Sequence, residues 1–410
     1  MPLFPRPSYE DELLKRLPLR EVKAVTGMRR CGKSSLLTRV GHRLAQEHEL
    51  PQQNLLHLDL ESLAVPLSAD AQWLDNTLQT AWGRADGSQP FVVMLDEVQA
   101  IPEWERVVRR WQGADGVSVY VTGSNSDLLS SDLRTKLTGR VLETHAYPLS
   151  FSEYRDFAIQ AGWPEQRVPD LLDDYLVYGG MPGQFQLNRL DPDFVIPYLQ
   201  DVFDTVTLND VADRSHLEDF DLLRRIVRYV FSTSGSLVSP TKIANALTSA
   251  GRKTRQQTVD QYLAALTASL ALSECPQVGL GKQLLRPKRK YYPADLGLRN
   301  LATGFSGADL GWRMECAVHN ELQARGWTVR VGAFASAEID FVAEKGVERQ
   351  YIQVSASVRD EDTYKRELAP LDALSDGFPR LLITGDKARC GVTEQGVRVV
   401  QLTDWLLGGE

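Results

Sequence analysis

The segment Val22-Lys-Ala-Val-Thr-Gly27-Met-Arg-Arg-Cys-Gly32-Lys33-Ser34-Ser35 joins a short apolar run to a glycine-punctuated turn, and then to an amphipathic stretch reaching Gln46. The run predicts a buried strand and the stretch a helix. Between them Gly27 to Ser34 fits G-x-x-x-x-G-K-[ST], in the strand-loop-helix context that this motif requires. Glycines let backbone N–H groups close around phosphates, and the helix N-terminus adds its partial positive charge. Lys33 is expected to reach the β and γ oxygens and the Ser34 hydroxyl to ligate Mg²⁺. Gly27, Arg30, Gly32, Lys33, Ser34 and Ser35 are therefore the expected nucleotide-binding set, for ATP with Mg²⁺. A glycine-rich turn that holds no ligand is the competing reading, and the flanking strand and helix weigh against it.

Outward from this loop, short apolar runs at 55–60, 91–95, 117–122 and 141–146 alternate with longer amphipathic stretches. That alternation predicts an α/β domain with a parallel sheet over residues 1–150. The run Phe91-Val-Val-Met-Leu-Asp96-Glu97 ends in two carboxylates. At the C-terminal edge of a sheet Asp96 can hold the Mg²⁺ shell through water, and Glu97 can polarise the attacking water. Alone, such a run could be a strand end with solvated charges; after a matching phosphate loop it points to hydrolysis. Ser124-Asn125 follows the run that ends at Thr122. Asn125 would then stand between the carboxylates and the γ-phosphate, unless the pair forms an ordinary turn. Arg140 is placed to face the nucleotide of a neighbouring subunit as an arginine finger, with a plain surface arginine as the alternative.

Residues 151–215 read as helical, interrupted at Tyr178-Gly-Gly-Met-Pro-Gly183, and are expected to form a lid or linker. Over 216–300 three helical stretches precede a Gly- and Lys-rich hairpin-like segment, 278–292, which is the order of a winged helix. Ser239-Pro-Thr-Lys opens one helix with a cap and a proline, and Val259, Leu263, Leu266 and Leu270 carry the apolar spacing of the next, taken to run over 254–272. The turn Ser249-Ala-Gly-Arg-Lys253 joins them as a helix-turn-helix. The expected DNA contacts are Arg252, Lys253 and Arg255 at this turn and Lys282, Lys288, Arg289 and Lys290 on the wing. A winged helix used for protein contacts, with a solvated basic hairpin, fits the same residues. Residues 301–410 read as helix, three strands, helix and two strands, a small α/β domain.

The phosphate loop, Leu95-Asp-Glu97, Thr122-Gly-Ser-Asn125, Thr138-Gly-Arg140 and Tyr147-Pro-Leu-Ser-Phe-Ser-Glu153 together resemble the AAA+-type ATPase of a widespread prokaryotic family with a C-terminal region known as DUF4143. The resemblance continues through Tyr178-Gly-Gly-Met-Pro182, Lys290-Tyr-Tyr292, Asp295-Leu-Gly-Leu-Arg299, Glu338-Ile-Asp-Phe341 and Tyr351-Ile-Gln-Val-Ser355, so it covers nearly the whole chain. It implies an ASCE-type P-loop ATPase working as a homo-oligomer, a hexameric ring being one form, and it implies no defined substrate. The last domain is similar to the PD-(D/E)XK nuclease core, with Glu315 on a helix, Asp340 on a strand and Gln353-Val-Ser355 on the next. Gln353 and Ser355 stand where that core wants Glu and Lys, which removes one anionic ligand and the ammonium that would stabilise the nucleophile. The domain is therefore expected to be a catalytically silent docking or DNA-binding module, with Glu315 and Asp340 as polar remnants and no nuclease activity.

At 410 residues the chain exceeds what one core serves, and 43% hydrophobic with 24% charged residues excludes wholesale disorder, collagen and coiled-coil rods. Cys31, Cys275, Cys316 and Cys390 are far apart and form no CxxC pair, so a reducing cytosol fits better than a disulfide framework or a zinc ribbon. No run is apolar enough to cross a bilayer, so a cytoplasmic protein without membrane partners is expected. The net charge of −8 argues at face value against nucleic acid. Residues 242–299, however, hold ten basic and three acidic residues, a net +7 that leaves −15 for the rest. The expected function is a Mg²⁺-dependent ATPase moving on duplex or branched DNA, with Holliday-junction branch migration as one option. The alternative is a signalling or defence ATPase switch whose C-terminal half binds a protein.

Overall fold

The computed structural model describes residues 3–123, 137, 139–206, 211, 219–278, 288–305, 309–334 and 337–408. They fall into two compact units, Met1–Tyr147 and Pro148–Glu410. Among the described residues no helix is long and apolar enough to cross a membrane.

All five apolar runs of the first unit are strands: β1 (Val22–Thr26), β2 (Leu55–Asp59), β3 (Phe91–Asp96), β4 (Val117–Thr122) and β5 (Val141–His145). They form one parallel sheet in the order β2-β3-β4-β1-β5. Every residue of β1, β3 and β4 is buried, because helices cover both faces, and that is why these strands read as largely apolar runs, broken at Lys23 and Ser118. The helices are α1 (Pro7–Lys15), α2 (Lys33–Glu47), α3 (Ala71–Trp82) and α4 (Trp104–Gln112). Successive side chains of β1 alternate between faces. Val22 and Ala24 join Leu74, Leu78, Val108 and Trp111 from α3 and α4. Val25 joins Leu13, Leu36, Leu37 and Leu44 from α1 and α2. At about 1.5–3 kcal/mol per buried aliphatic side chain, this double-sided burial makes β1 a rigid base for the loop that follows it. Glu10, 1% exposed, ties α1 to α2 by accepting from Arg39 Nε and Nη2 at 3.2 Å each.

The second unit begins with helices Phe151–Gln160, Val168–Tyr178 and Pro192–Asp204. Three more follow, Phe220–Ser232, Pro240–Ser249 and Gln256–Ala268, with Asp219 and Ser239 capping the first two. An antiparallel pair then forms from β6 (Leu272–Pro276) and β7 (Arg289–Pro293). Three helices and a strand pair do follow one another, but the last helix stops at Ala268 rather than at 272, and the first strand of the pair lies ahead of the hairpin expected over 278–292. Leu270 takes a left-handed backbone, φ 62°, which a right-handed helix cannot continue through, and Leu272 opens β6 instead. The segment 279–287, with Lys282, lies outside the described residues. After helices Leu296–Thr303 and Leu310–Ala324 comes a six-stranded sheet of β8 (Thr328–Phe334), β9 (Ala337–Lys345), β10 (Glu348–Ser355), β11 (Arg380–Thr384), β12 (Gly391–Val392) and β13 (Arg398–Gln401). Its order is β12-β13-β11-β10-β9-β8, antiparallel from β8 to β10 and parallel across β10, β11 and β13.

Two motifs quoted for the family resemblance prove to be one structural lock. Gly179, at φ 73°, ends the helix Val168–Tyr178, and the Gly180 N–H donates to Asp295 Oδ2 at 2.7 Å. Asp295 also caps the helix Leu296–Thr303 through the Leu298 N–H at 3.1 Å. Asn300 Nδ2 donates to the Leu176 and Val177 carbonyls at 2.9 and 2.8 Å, satisfying the end of the earlier helix. Burial raises the Asp295 pKa to about 6, against the backbone donors Gly180, Leu298 and Gly297 that pull it down. Because the folded value exceeds the ordinary 3.8, the protonated form favours the fold; its contribution is complete below 3.8 and is lost as pH rises through about 6. Asp295→Asn is therefore expected to flatten the dependence of stability on pH across that window, read as denaturant midpoints of variant and wild type.

Candidate active site

The phosphate loop leaves the C-terminal end of β1 through Gly27, whose φ of 151° is open mainly to glycine. A Cβ there would lie under 3.0 Å from the Ala146 carbonyl and 2.8 Å from Cys31 Sγ, so the loop is seated directly on the chain after β5. Arg30 turns the loop at φ 65° and is exposed; Gly32, at φ 102°, is the N-cap of α2. The helix starts at Lys33, two residues earlier than expected, so Ser34 and Ser35 sit in its first turn with Ser34 exposed. N–H groups of that turn have no partner within the helix, the arrangement that suits an anion. Lys33 is 4% exposed, and its ammonium reaches the Met28 carbonyl at 3.3 Å and Glu97 Oε1 at 4.0 Å.

Asp96 ends β3 and Glu97 follows it, two strands across the sheet from β1 with β4 between them. Glu97 has a left-handed backbone, φ 52° and ψ 55°, which costs a non-glycine residue about 1–2 kcal/mol and swings its side chain back toward Lys33. What holds it there is Thr122, the last residue of β4. The Glu97 N–H donates to Thr122 Oγ1 at 3.0 Å, and the same hydroxyl donates to Asp96 Oδ1. Gln99 Nε2 donates to Glu97 Oε2 at 2.6 Å. Thr122 thus fixes the Asp96 carboxylate and the Glu97 backbone from one hydroxyl. Thr122→Val is expected to cost about 1–2 kcal/mol, lowering turnover roughly tenfold while nucleotide affinity stays within about twofold. A coupled phosphate assay beside a fluorescent-nucleotide titration would separate the two.

Three further residues of the site had no role assigned from the sequence: Thr122, which stands in a quoted motif, and Arg6 and His145. Arg6, 4% exposed, donates through Nη1 to the Cys31 carbonyl at 3.3 Å and the Tyr147 carbonyl at 3.0 Å, pinning the middle of the phosphate loop. His145, at the end of β5, meets Thr26 Oγ1 at 3.2 Å. Burial lowers its pKa to about 4, and the Lys33 ammonium pushes the same way, so the imidazole is neutral at physiological pH and adds no charge beside Lys33.

Arg140 lies elsewhere. Its carbonyl accepts from the Val22 N–H at 3.0 Å and its side chain is exposed at the N-terminal edge of the sheet. The β1 and β5 register from Val22↔Val141 to Thr26↔His145 separates it from the phosphate loop by the length of a strand, about 15 Å, so it takes no part in its own chain's site. Asn125 lies outside the described residues.

Among the expected DNA contacts, Lys253, Arg255 and Lys288 are exposed. Arg252 is paired with Asp219, and Arg289 with Glu274 at 3.3 Å. Lys290 is a correction: it is 1% exposed, with Nζ bonded to Glu315 Oε1 at 2.9 Å and Asp340 Oδ1 at 3.1 Å, and it cannot reach a phosphate backbone. Of the residues in the nuclease-like pattern, Asp340 meets Gln353 directly and Glu315 through Lys290. Asp340 Oδ2 accepts from the Val354 N–H at 3.0 Å, and the Asp340 N–H donates to Gln353 Oε1 at 3.2 Å, while Ser355 Oγ donates to the Ser357 carbonyl at 3.1 Å.

An AAA domain family model matches residues 19–155, the span of the loop, both carboxylates and Thr122. A Haemophilus influenzae protein described as uncharacterized is 32% identical over 406 residues, 99% of each chain. The chain belongs to the same family as that protein and carries an AAA domain. A protein of Methanocaldococcus jannaschii, also described as uncharacterized, is 24% identical over 89% of this chain and 81% of its own. Among solved structures, a Walker-type ATPase of Pyrococcus abyssi aligns with a TM-score of 0.51 and 16% identity, over 73% of this chain and 95% of that one, a likeness of fold. Residues 169–309 match a domain of unknown function, DUF8612, where the resemblance had implied DUF4143.

Proposed function

We propose that the chain is a Mg²⁺-dependent ATP hydrolase of AAA+ type that works as a homo-oligomer and couples turnover to DNA. The observation that carries the hydrolase reading is the convergence of Lys33, Asp96, Glu97 and Thr122 at the C-terminal ends of three parallel strands. The donor set suits Mg²⁺, since the Ser34 hydroxyl and the Asp96 carboxylate are hard oxygens. When bound, Mg²⁺ would neutralise charge on the β and γ oxygens. Lys33 would leave the Met28 carbonyl for the phosphates, releasing Glu97 to orient and polarise the attacking water. Arg140, remote from its own nucleotide, would serve a neighbouring subunit.

The DNA reading rests on Lys253, Arg255 and Lys288, exposed on a helix-turn and strand-pair arrangement that we read as a winged helix, followed by a nuclease-like sheet. Its charge support is smaller than the sequence suggested, because Lys290 and Arg299 are both 1% exposed and internally paired. That shrinkage favours the second reading, a switch whose C-terminal unit docks a protein. Fluorescence anisotropy with duplex and four-way-junction DNA distinguishes them. For three or four phosphate contacts, affinity is expected to fall by about 10²-fold between about 50 and 200 mM salt, and Lys253→Ala/Arg255→Ala should flatten that slope. Binding absent at low salt would leave the switch.

A further inference from the structure

Lysine is almost never fully buried unless paired, yet Lys290 sits at the second position of β7 under the surface of the second unit. Its Nζ lies 2.9 Å from Glu315 Oε1, 2.9 Å from Glu338 Oε1 and 3.1 Å from Asp340 Oδ1. Glu315 comes from the helix Leu310–Ala324, while Glu338 and Asp340, two apart on β9, share a face. An ammonium has three N–H groups, and here each meets one carboxylate. Other groups crowd the buried side of the cluster. The Tyr292 hydroxyl donates to Glu315 Oε1 at 2.6 Å, the Val354 N–H holds Asp340 Oδ2, and a Cβ at Gly235 would stand 2.6 Å from Glu315 Oε2.

A divalent ion held by these carboxylates would need the same central point, with oxygens at about 2.0–2.6 Å, and could not share it with an ammonium. We propose that the Lys290 ammonium is the resident cation of this cluster, standing where a carboxylate-held divalent metal would sit and closing the site to metal. The missing ammonium of the nuclease-like pattern, absent at Ser355, thus reaches the carboxylates from β7, but as an occupant of the centre rather than beside it. Burial alone would lower the Lys290 pKa; Asp340 and Glu315 outweigh it and hold the group charged. The cluster also anchors β7, and with it the end of the basic segment, to the helix and sheet that follow.

The test uses full-length, nucleotide-free protein and Mn²⁺ alone, with bound ion read by electron paramagnetic resonance. Wild type is expected to show no Mn²⁺ binding that depends on Asp340. Lys290→Met is expected to gain one site at least about tenfold tighter, lost again in Lys290→Met/Asp340→Asn. Wild-type Mn²⁺ binding or DNA nicking that Asp340→Asn abolishes would overturn the proposal, as would a folded Lys290→Met protein with no gained site. Amine labelling of the wild type, read by mass spectrometry, needs no variant. Lys288 is expected to react at least about tenfold faster than Lys290, and equal labelling would overturn the proposal.

Discussion

Glu97→Gln protein is expected to bind ATP within about twofold of wild type while turning it over about 10²–10⁴-fold more slowly, the range that a positioned general base contributes. The amide keeps the size of the side chain and can still accept from Gln99, so the left-handed backbone at Glu97 and its bond to Thr122 should survive. What is lost is the negative charge beside the attacking water. Lys33→Ala should behave differently, with turnover down by about 10²–10³-fold and nucleotide affinity falling too, because the ammonium serves ground state and transition state alike. A fluorescent-nucleotide titration paired with single-turnover phosphate release resolves the two patterns. A Glu97→Gln enzyme with wild-type turnover would remove Glu97 from the mechanism.

Gly297→Ala is expected to destabilise the second unit although it lies in a helix, where alanine ordinarily gains about 1 kcal/mol over glycine. An added Cβ would stand under 3.0 Å from the Tyr178 carbonyl and 2.9 Å from Leu199 Cδ1. The carbonyl belongs to the end of the helix Val168–Tyr178 and cannot rotate aside as a side-chain tip can. Overpacking of this kind costs about 1–3 kcal/mol or more, so clash exceeds propensity and a net loss of about 2 kcal/mol is expected. At roughly 2–4 °C per kcal/mol for a unit of this size, that is a drop of several degrees in melting temperature. A raised melting temperature would mean that the lock between the Tyr178 and Asp295 motifs is looser than its geometry implies.

Much of this was legible before the structure. The three central strands of the first unit were legible because parallel strands covered on both faces are rich in consecutive apolar residues, and Ser239 and Pro240 marked a helix start through local capping chemistry. Thr122 stood in a quoted motif, but its role was not legible, since it depends on β4 lying beside β3, a fact of topology rather than of local pattern. Arg6 precedes the first strand in a stretch without periodicity. Lys288, Arg289 and Lys290 looked like one solvated basic surface. The aromatic pair Tyr291 and Tyr292 that follows is the feature showing the chain turning inward, and it takes Lys290 with it. The family motifs around Tyr178 and Asp295, read in the sequence as a helix interruption and a family resemblance, are joined as a packing lock by contacts far apart in sequence.

Under the proposed function, the loop at Lys33 and the carboxylates at Asp96 and Glu97 form a working hydrolase whose rate answers to DNA. Steady-state phosphate release from Mg²⁺-ATP, measured on full-length protein alone and with duplex or four-way-junction DNA, tests it most directly. The predicted result is turnover that requires Mg²⁺, disappears in Lys33→Ala and rises severalfold with DNA. No release above the Lys33→Ala background under any of these conditions would contradict the hydrolase assignment, and release indifferent to DNA would leave the ATPase standing without its proposed partner.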